Sequence, residues 1–160
     1  MDTIIYYSEM EGISLEHLKR SSGYDMRSNH FHNEYEIYFS HRRRAPLFSF
    51  NNRAYQVKKG SLILVDTNLI HMTHAPEDDT TGYTRIILYI DKSKMQQFDE
   101  KFPHLNLVPF FREHYGVYNL TQKQQEKFLH MYEVLKTEFS NRSRSYKALI
   151  EMEIIHYFID

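Results

Sequence analysis

Three histidines and a carboxylate are spaced so that they could act together. In His30-Phe31-His32-Asn33-Glu34-Tyr35-Glu36, residues two apart on a strand share a face, so His30, His32 and Glu36 would stand on one side of it. A later segment, Gly60-Ser61-Leu62-Ile63-Leu64-Val65-Asp66-Thr67-Asn68-Leu69-Ile70-His71, would bring His71 past them on a second strand pair. Three imidazoles and one carboxylate are the ligand types that suit Fe, Mn, Ni or Zn. The same groups also make a polar floor for a small effector, or a set of side chains that hydrogen-bond one another. Tyr38, His74, Tyr83 and Arg85 are candidates to line the mouth of the same pocket with hydroxyl, imidazole and guanidinium groups. Glu34 shares parity with Glu36, and a bulge turning it to solvent is the alternative.

Positioning these residues takes strands. Between residues 29 and 90 short apolar or alternating runs fall at His30 to Ser40, Leu47 to Phe50, Ala54 to Val57, Ser61 to Val65, Ile70 to Thr73 and Thr84 to Ile90. Turn signals separate them: Arg42-Arg43-Arg44-Ala45-Pro46, Asn51-Asn52, Lys59-Gly60, Asp66-Thr67-Asn68 and Pro76-Glu77-Asp78-Asp79. Short strands so punctuated predict an antiparallel sandwich or barrel. Asn51-Asn52 predicts a tight hairpin, because Asn tolerates left-handed backbone. The basic run His41 to Arg44 reads as a solvated hairpin tip.

After Asp91 the period changes. Met95, Phe98 and Phe102 predict one side of a short helix, ended by Pro103 and His104. Residues 105 to 118 are aromatic and irregular, and no element is assigned to them. Thr121-Gln122-Lys123-Gln124 has capping-box form. Phe128, Met131, Tyr132, Leu135 and Phe139 then fall on one helical face. Asn141-Arg142-Ser143 breaks that helix, and Tyr146, Leu149, Ile150, Ile154, Tyr157 and Phe158 form a second stripe. The pair predicts an antiparallel helical hairpin, usable for dimerisation as well as for packing on the barrel. The stripe is still apolar at Asp160, with no Gly, Asn or Pro stop, so the expectation is that the natural chain continues.

The paired segments resemble the motifs of the cupin family. The first of these reads His-x-His, three or four residues, then Glu; the second reads Gly, five residues, Pro-x-Gly, two residues, His. His30, His32, Glu36 and His71 match all four metal-ligand positions. Arg43, Asp66 and Asn68 depart from the expected Gly, Pro and Gly. Within cupins the arrangement is most similar to the N-terminal effector domain of AraC-type regulators, with residues 1 to 28 matching an N-terminal arm. That resemblance implies a double-stranded β-helix, a jelly-roll barrel, over residues 1–118 with its arm, and a helical hairpin over 119–160 for dimerisation. It further implies a carbohydrate-like small-molecule effector, a homodimer, and DNA contacted only through a C-terminal helix-turn-helix domain that lies outside these residues.

Composition bounds this reading. The 160 residues carry 20 Lys and Arg against 21 Asp and Glu, a formal net charge of −1 that gives no electrostatic footprint for nucleic acid. Cysteine is absent, which excludes a disulfide scaffold and thiolate metal sites and suits a cytoplasmic protein. No signal peptide or membrane-length apolar stretch is present, so no membrane partner is expected. With no nucleophilic triad or phosphate-cradling glycine loop either, hydrolase and nucleotide-binding functions are not expected, and what the resemblance implies is effector sensing without catalytic residues. The alternative is a mononuclear metal cupin enzyme, a dioxygenase or a sugar isomerase, using a divalent metal on the four ligands.

Overall fold

The computed structural model describes residues 2–20, 33–40, 47–50, 53–56, 60–67, 71–74 and 83–159. Their strands are β1 (Asp2–Met10), β2 (Ile13–Arg20), β3 (Glu34–Ser40), β4 (Leu47–Phe50), β5 (Arg53–Gln56), β6 (Ser61–Val65), β7 (His71–His74), β8 (Tyr83–Asp91) and β9 (Gly116–Asn119). They form a six-stranded sheet in the order β1-β2-β8-β3-β6-β9 and a three-stranded sheet in the order β5-β4-β7. Every pairing is antiparallel. From β3 the chain passes to the small sheet and back at β6, then out again at β7 and back at β8. This alternation between two antiparallel sheets is the jelly-roll route that the cupin resemblance implies, within the antiparallel sandwich or barrel that strand spacing predicts. The β4–β5 hairpin closes with Phe50 opposite Arg53, the register that a tight turn requires; Asn51 and Asn52 themselves lie outside the described residues.

One segment differs from expectation. Residues 2 to 20, read from sequence as lying within an N-terminal arm, are a hairpin that extends the large sheet, β2 pairing with β8 from Ile13↔Ile90 to Arg20↔Tyr83. Its alternation explains why: Ile13 and Leu15 are buried on one side of the strand, while Ser14 and Glu16 lie on the other. The turn depends on Gly12, whose φ of 80° is left-handed and where a Cβ would press on Lys94 and Asp91.

Helices cover one face of the large sheet. In α1 (Lys92–Lys101) the Asp91 side chain caps the first turn, accepting from Lys94 N at 2.7 Å. Met95 and Phe98 are buried there, but Phe102 is the C-cap and is 48% exposed, so the predicted stripe stops one residue short. A 3₁₀ turn (Pro103–Leu105) leads to α2 (Leu107–His114) within the segment that sequence patterning left unassigned. Then come α3 (Gln122–Asn141) and α4 (Tyr146–Ile159). The capping box on α3 is present as predicted, and Phe128, Met131, Tyr132, Leu135 and Phe139 are all buried. Arg142, with φ 46°, ends α3 by its left-handed backbone. Of the α4 stripe, Ile150 and Ile154 are buried, while Leu149 is 42% exposed.

The main core lies between sheet and helices and includes Leu15, Ile37, Phe39, Leu88, Phe98 and Leu135. Phe39 stacks on Phe128 with ring centroids 4.6 Å apart, fixing α3 against the middle of the sheet. The helical hairpin therefore packs on the barrel rather than standing away from it. No described helix is long and apolar enough to cross a membrane.

Candidate functional site

The candidate site lies on the opposite face of the large sheet. Alternation along β3 sends Tyr35, Ile37 and Phe39 to the helices and Glu36, Tyr38 and Ser40 to the other side. Register then fixes their neighbours. Glu36 lies between Val65 of β6 and Tyr89 of β8, Tyr38 between Ile63 and Ile87, and Ser40 opposite Arg85. Tyr38, Ile63, Val65 and Ile87 form a second, smaller apolar cluster, with Tyr89 and Val117 packed against it.

Polar groups are set into that cluster. The buried polar residues among those described are Glu36, Ser40 and Ser61, and pairing puts all three on this face. Glu36 is 4% exposed. Ser61 Oγ donates to Asn119 Oδ1 at 3.1 Å. Ser40 Oγ is buried without a hydrogen-bond partner among the described residues, a condition that a ligand hydroxyl would relieve. Arg85 reaches Glu16 Oε1 at 3.6 Å, and its guanidinium carbon lies 5.8 Å from the centre of the Tyr38 ring.

Carboxylates dominate the field across β1, β2 and β3. Burial pushes the Tyr89 phenol well above its ordinary value, and the charges of Glu36, Glu16 and Glu34 push it further, against a smaller opposing effect of Arg85. Tyr7 is raised in the same way, first by donating to Glu9 Oε2 at 2.9 Å, then by burial and the charges of Glu9, Glu16 and Glu34. Glu34 is half-buried and acts on both phenols.

Of the predicted pocket residues, Glu36, Tyr38 and Arg85 are thus brought to one face. His71 and His74 are in β7 of the small sheet, opposite Phe50 and Leu47 of β4, and Tyr83 begins β8 opposite Arg20. His30 and His32 lie outside the described residues. Glu36 is accordingly the one implied metal ligand whose side chain is described, a buried carboxyl of the type a divalent metal accepts. Among the described residues no group of three or more His, Cys, Asp or Glu could hold a metal. Sequence reading missed Glu16 and Tyr89. The alternation Arg85, Ile87, Tyr89 carried the signal for the second; Glu16 was hidden because its strand was read as arm.

The family model for the AraC-like ligand binding domain matches residues 15–158. No curated protein matches the chain. Among solved structures, an RmlC-like cupin with a double-stranded β-helix fold from Methanocaldococcus jannaschii is similar over 61% of this chain and 86% of its own, at 12% identity and TM-score 0.49. A cupin protein from Bacteroides fragilis is similar over 52% of this chain and 69% of its own, at 12% identity and TM-score 0.44. The salicylate 1,2-dioxygenase of Pseudoaminobacter salicylatoxidans is similar over 55% of this chain and 25% of its own, at 16% identity and TM-score 0.44.

Proposed function

This chain belongs to the family of AraC-like ligand-binding domains, and from that premise we propose that it senses a small, hydroxyl-rich effector on the Glu36 face of the large sheet. The observation that carries the reading is the segregation of buried polarity: Glu36, Ser40 and Ser61 all belong to that face. Ser40 Oγ has no hydrogen-bond partner among the described residues, and a buried polar group costs free energy unless it is bonded. A carboxylate, serine hydroxyls, the Tyr38 phenol and the Arg85 guanidinium together offer the acceptors and donors that a polyol or sugar needs. His71, His74 and Tyr83, with His30 and His32, are proposed to complete the pocket.

The architecture supports a regulatory role. β2 carries Glu16 on the effector face and His17 on the helix face, where His17 Nδ1 is 2.9 Å from the Tyr132 hydroxyl of α3. An effector that favours one setting of β2 would therefore bias the helical hairpin, provided that its affinity differs between the two settings. In this reading residues 1–118 sense and 119–160 relay and dimerise, and DNA is contacted through a further domain. A divalent metal, if bound, would draw on Glu36 with His30, His32 and His71.

Isothermal titration of the 160-residue chain with a panel of neutral monosaccharides tests the reading. At least one should bind stoichiometrically, with Tyr38→Phe and Arg85→Gln each weakening it about tenfold. Binding that is indifferent to both substitutions, or absent across the panel, counts against it. Elemental analysis of the purified chain tests the metal separately, and stoichiometric metal with turnover of a substrate would replace sensing by catalysis.

A further inference from the structure

On the helix side of the large sheet, away from the Glu36 face, a cavity of about 380 Å³ opens beside β9. Its floor is Leu62 and Leu64 of β6, both part of the main core. One wall is aromatic. The rings of Phe110 and His114 in α2 have centroids 4.9 Å apart, and the Tyr118 hydroxyl donates to the His114 carbonyl oxygen, so the three side chains are held as one surface. Two primary amides, Asn119 and Gln124, also line the cavity. Their oxygens are engaged within the protein, Asn119 Oδ1 accepting from Ser61 Oγ at 3.1 Å and Gln124 Oε1 from Thr121 N at 2.9 Å. What each amide offers to the cavity is therefore its NH2 donor. Among the described residues that line it there is no Lys, Arg, Asp or Glu.

We infer that this cavity is a second ligand site, for a small neutral aromatic carbonyl compound whose ring lies over Leu62 and Leu64 and whose oxygen accepts from the Asn119 and Gln124 amides. The volume falls within the roughly 300–1,000 Å³ typical of small-molecule sites. Phe110 and Tyr118 leave 38% and 40% of their surface uncovered, so an aromatic ring gains by covering them. Hydrogen bonding and charge then choose the polar end of the ligand. Amide donors whose own oxygens are already engaged select an acceptor. With no charged side chain in the lining, an anion would give up water without meeting a counter-charge. A hydrocarbon of the same size would gain the apolar contact alone.

The test titrates the 160-residue chain with acetophenone, ethylbenzene and benzoate, following backbone amide shifts by NMR. Acetophenone should bind one to one, shifting Leu62, Phe110 and Gln124, with ethylbenzene and benzoate each about tenfold weaker. Gln124→Glu keeps the oxygen that Thr121 N requires, and with it the helix cap, while removing the donor. It should weaken acetophenone about tenfold and leave ethylbenzene unchanged. No saturable binding of acetophenone, equal affinity for ethylbenzene or benzoate, an unchanged affinity in Gln124→Glu, or shifts centred on Arg85 and Tyr89 would each overturn the proposal. Phe110→Ser provides a second arm that leaves the cap alone: it should weaken ketone and hydrocarbon alike, and an unaltered affinity for acetophenone would equally overturn it. None of these outcomes depends on whether a sugar binds the Glu36 face.

Discussion

Arg85 touches both Tyr38 and Glu16 on the Glu36 face, yet its pairing with Glu16 is loose. The separation is 3.6 Å, too long for a charge-assisted hydrogen bond, which holds the interaction to about 1 kcal/mol. A double-mutant cycle on Glu16→Gln and Arg85→Gln, read by urea unfolding, should return a coupling in that range. A coupling above about 3 kcal/mol would mean that the pair behaves as fully buried and that the face is closed to solvent. Phenols give a second handle. Burial pushes Tyr132 and Tyr157 up to about 12, and Tyr89 rises further for the same reason, aided by Glu36 and Glu16. Each folded value lies above the unfolded one, so the unfolded chain loses these protons first as pH rises. For Tyr132 and Tyr157 the contribution is whole below the unfolded value near 10 and is lost between about pH 10 and 12. Stability should fall across that window, each phenol adding at most about 1.4 kcal/mol per pH unit to the slope. In Tyr157→Phe the slope should be shallower; a slope equal to that of the parent would refute the assignment.

At the scale of elements, local signals held where partners are close in sequence. Thr121 accepts from Gln124 N at 3.2 Å while the Gln124 side chain accepts from Thr121 N at 2.9 Å, as the four-residue pattern predicts. Thr121→Ala should cost about 1 kcal/mol, measured by thermal unfolding. Gly60 binds two elements together: its φ is 84°, and a Cβ there would collide with the Gln125 side chain of α3. Gly60→Ala should destabilise by roughly 1–3 kcal/mol. Adding Gln125→Ala should recover only the steric part, since the backbone strain stays; full recovery would show that the conformation is not strained.

Sequence reading failed where the decisive partner is distant. Helix α2 contains Pro109 and opens with β-branched and aromatic residues, so patterning gave no helix. Its first amides are satisfied from another element, Leu107 N and Val108 N donating to Asp99 of α1 at 2.7 and 2.9 Å. Pro109 sits in the first turn, where the missing amide costs nothing. The β1–β2 hairpin was lost for a related reason: strands are recognised by what they pair with, and the β8 partners of β2 are 63 to 77 residues further on in sequence, from Arg20↔Tyr83 to Ile13↔Ile90. Within the site, parity along the strand brought out Glu36, and Tyr38 and Arg85 were read as polar groups for the mouth of the barrel, while Glu16 needed that long-range pairing to be known.

On the scale of the whole molecule, one sheet separates two environments, a smaller apolar cluster into which Glu36, Ser40 and Ser61 are set and the larger apolar core under the helices. The helices are not fully satisfied by the sheet. Leu149, Met152 and Ile159 of α4 are 42%, 63% and 62% exposed, and with exposed His156 they recur at steps of three and four along one line. Such a line on a hairpin suits a second copy packed about a two-fold axis. Sedimentation equilibrium at micromolar concentration should therefore give a dimer, and Met152→Glu should shift it toward monomer without loss of helical circular dichroism. The choice of position matters, because Ile150, one residue beyond Leu149, is fully buried in the core. Ile150→Glu would bury an unpaired charge and unfold the chain, whatever its state of association. If Met152→Glu stays dimeric, the interface lies elsewhere, and the next surface to test is the edge strand β1, where Ile4 and Tyr7 are 66% and 49% exposed.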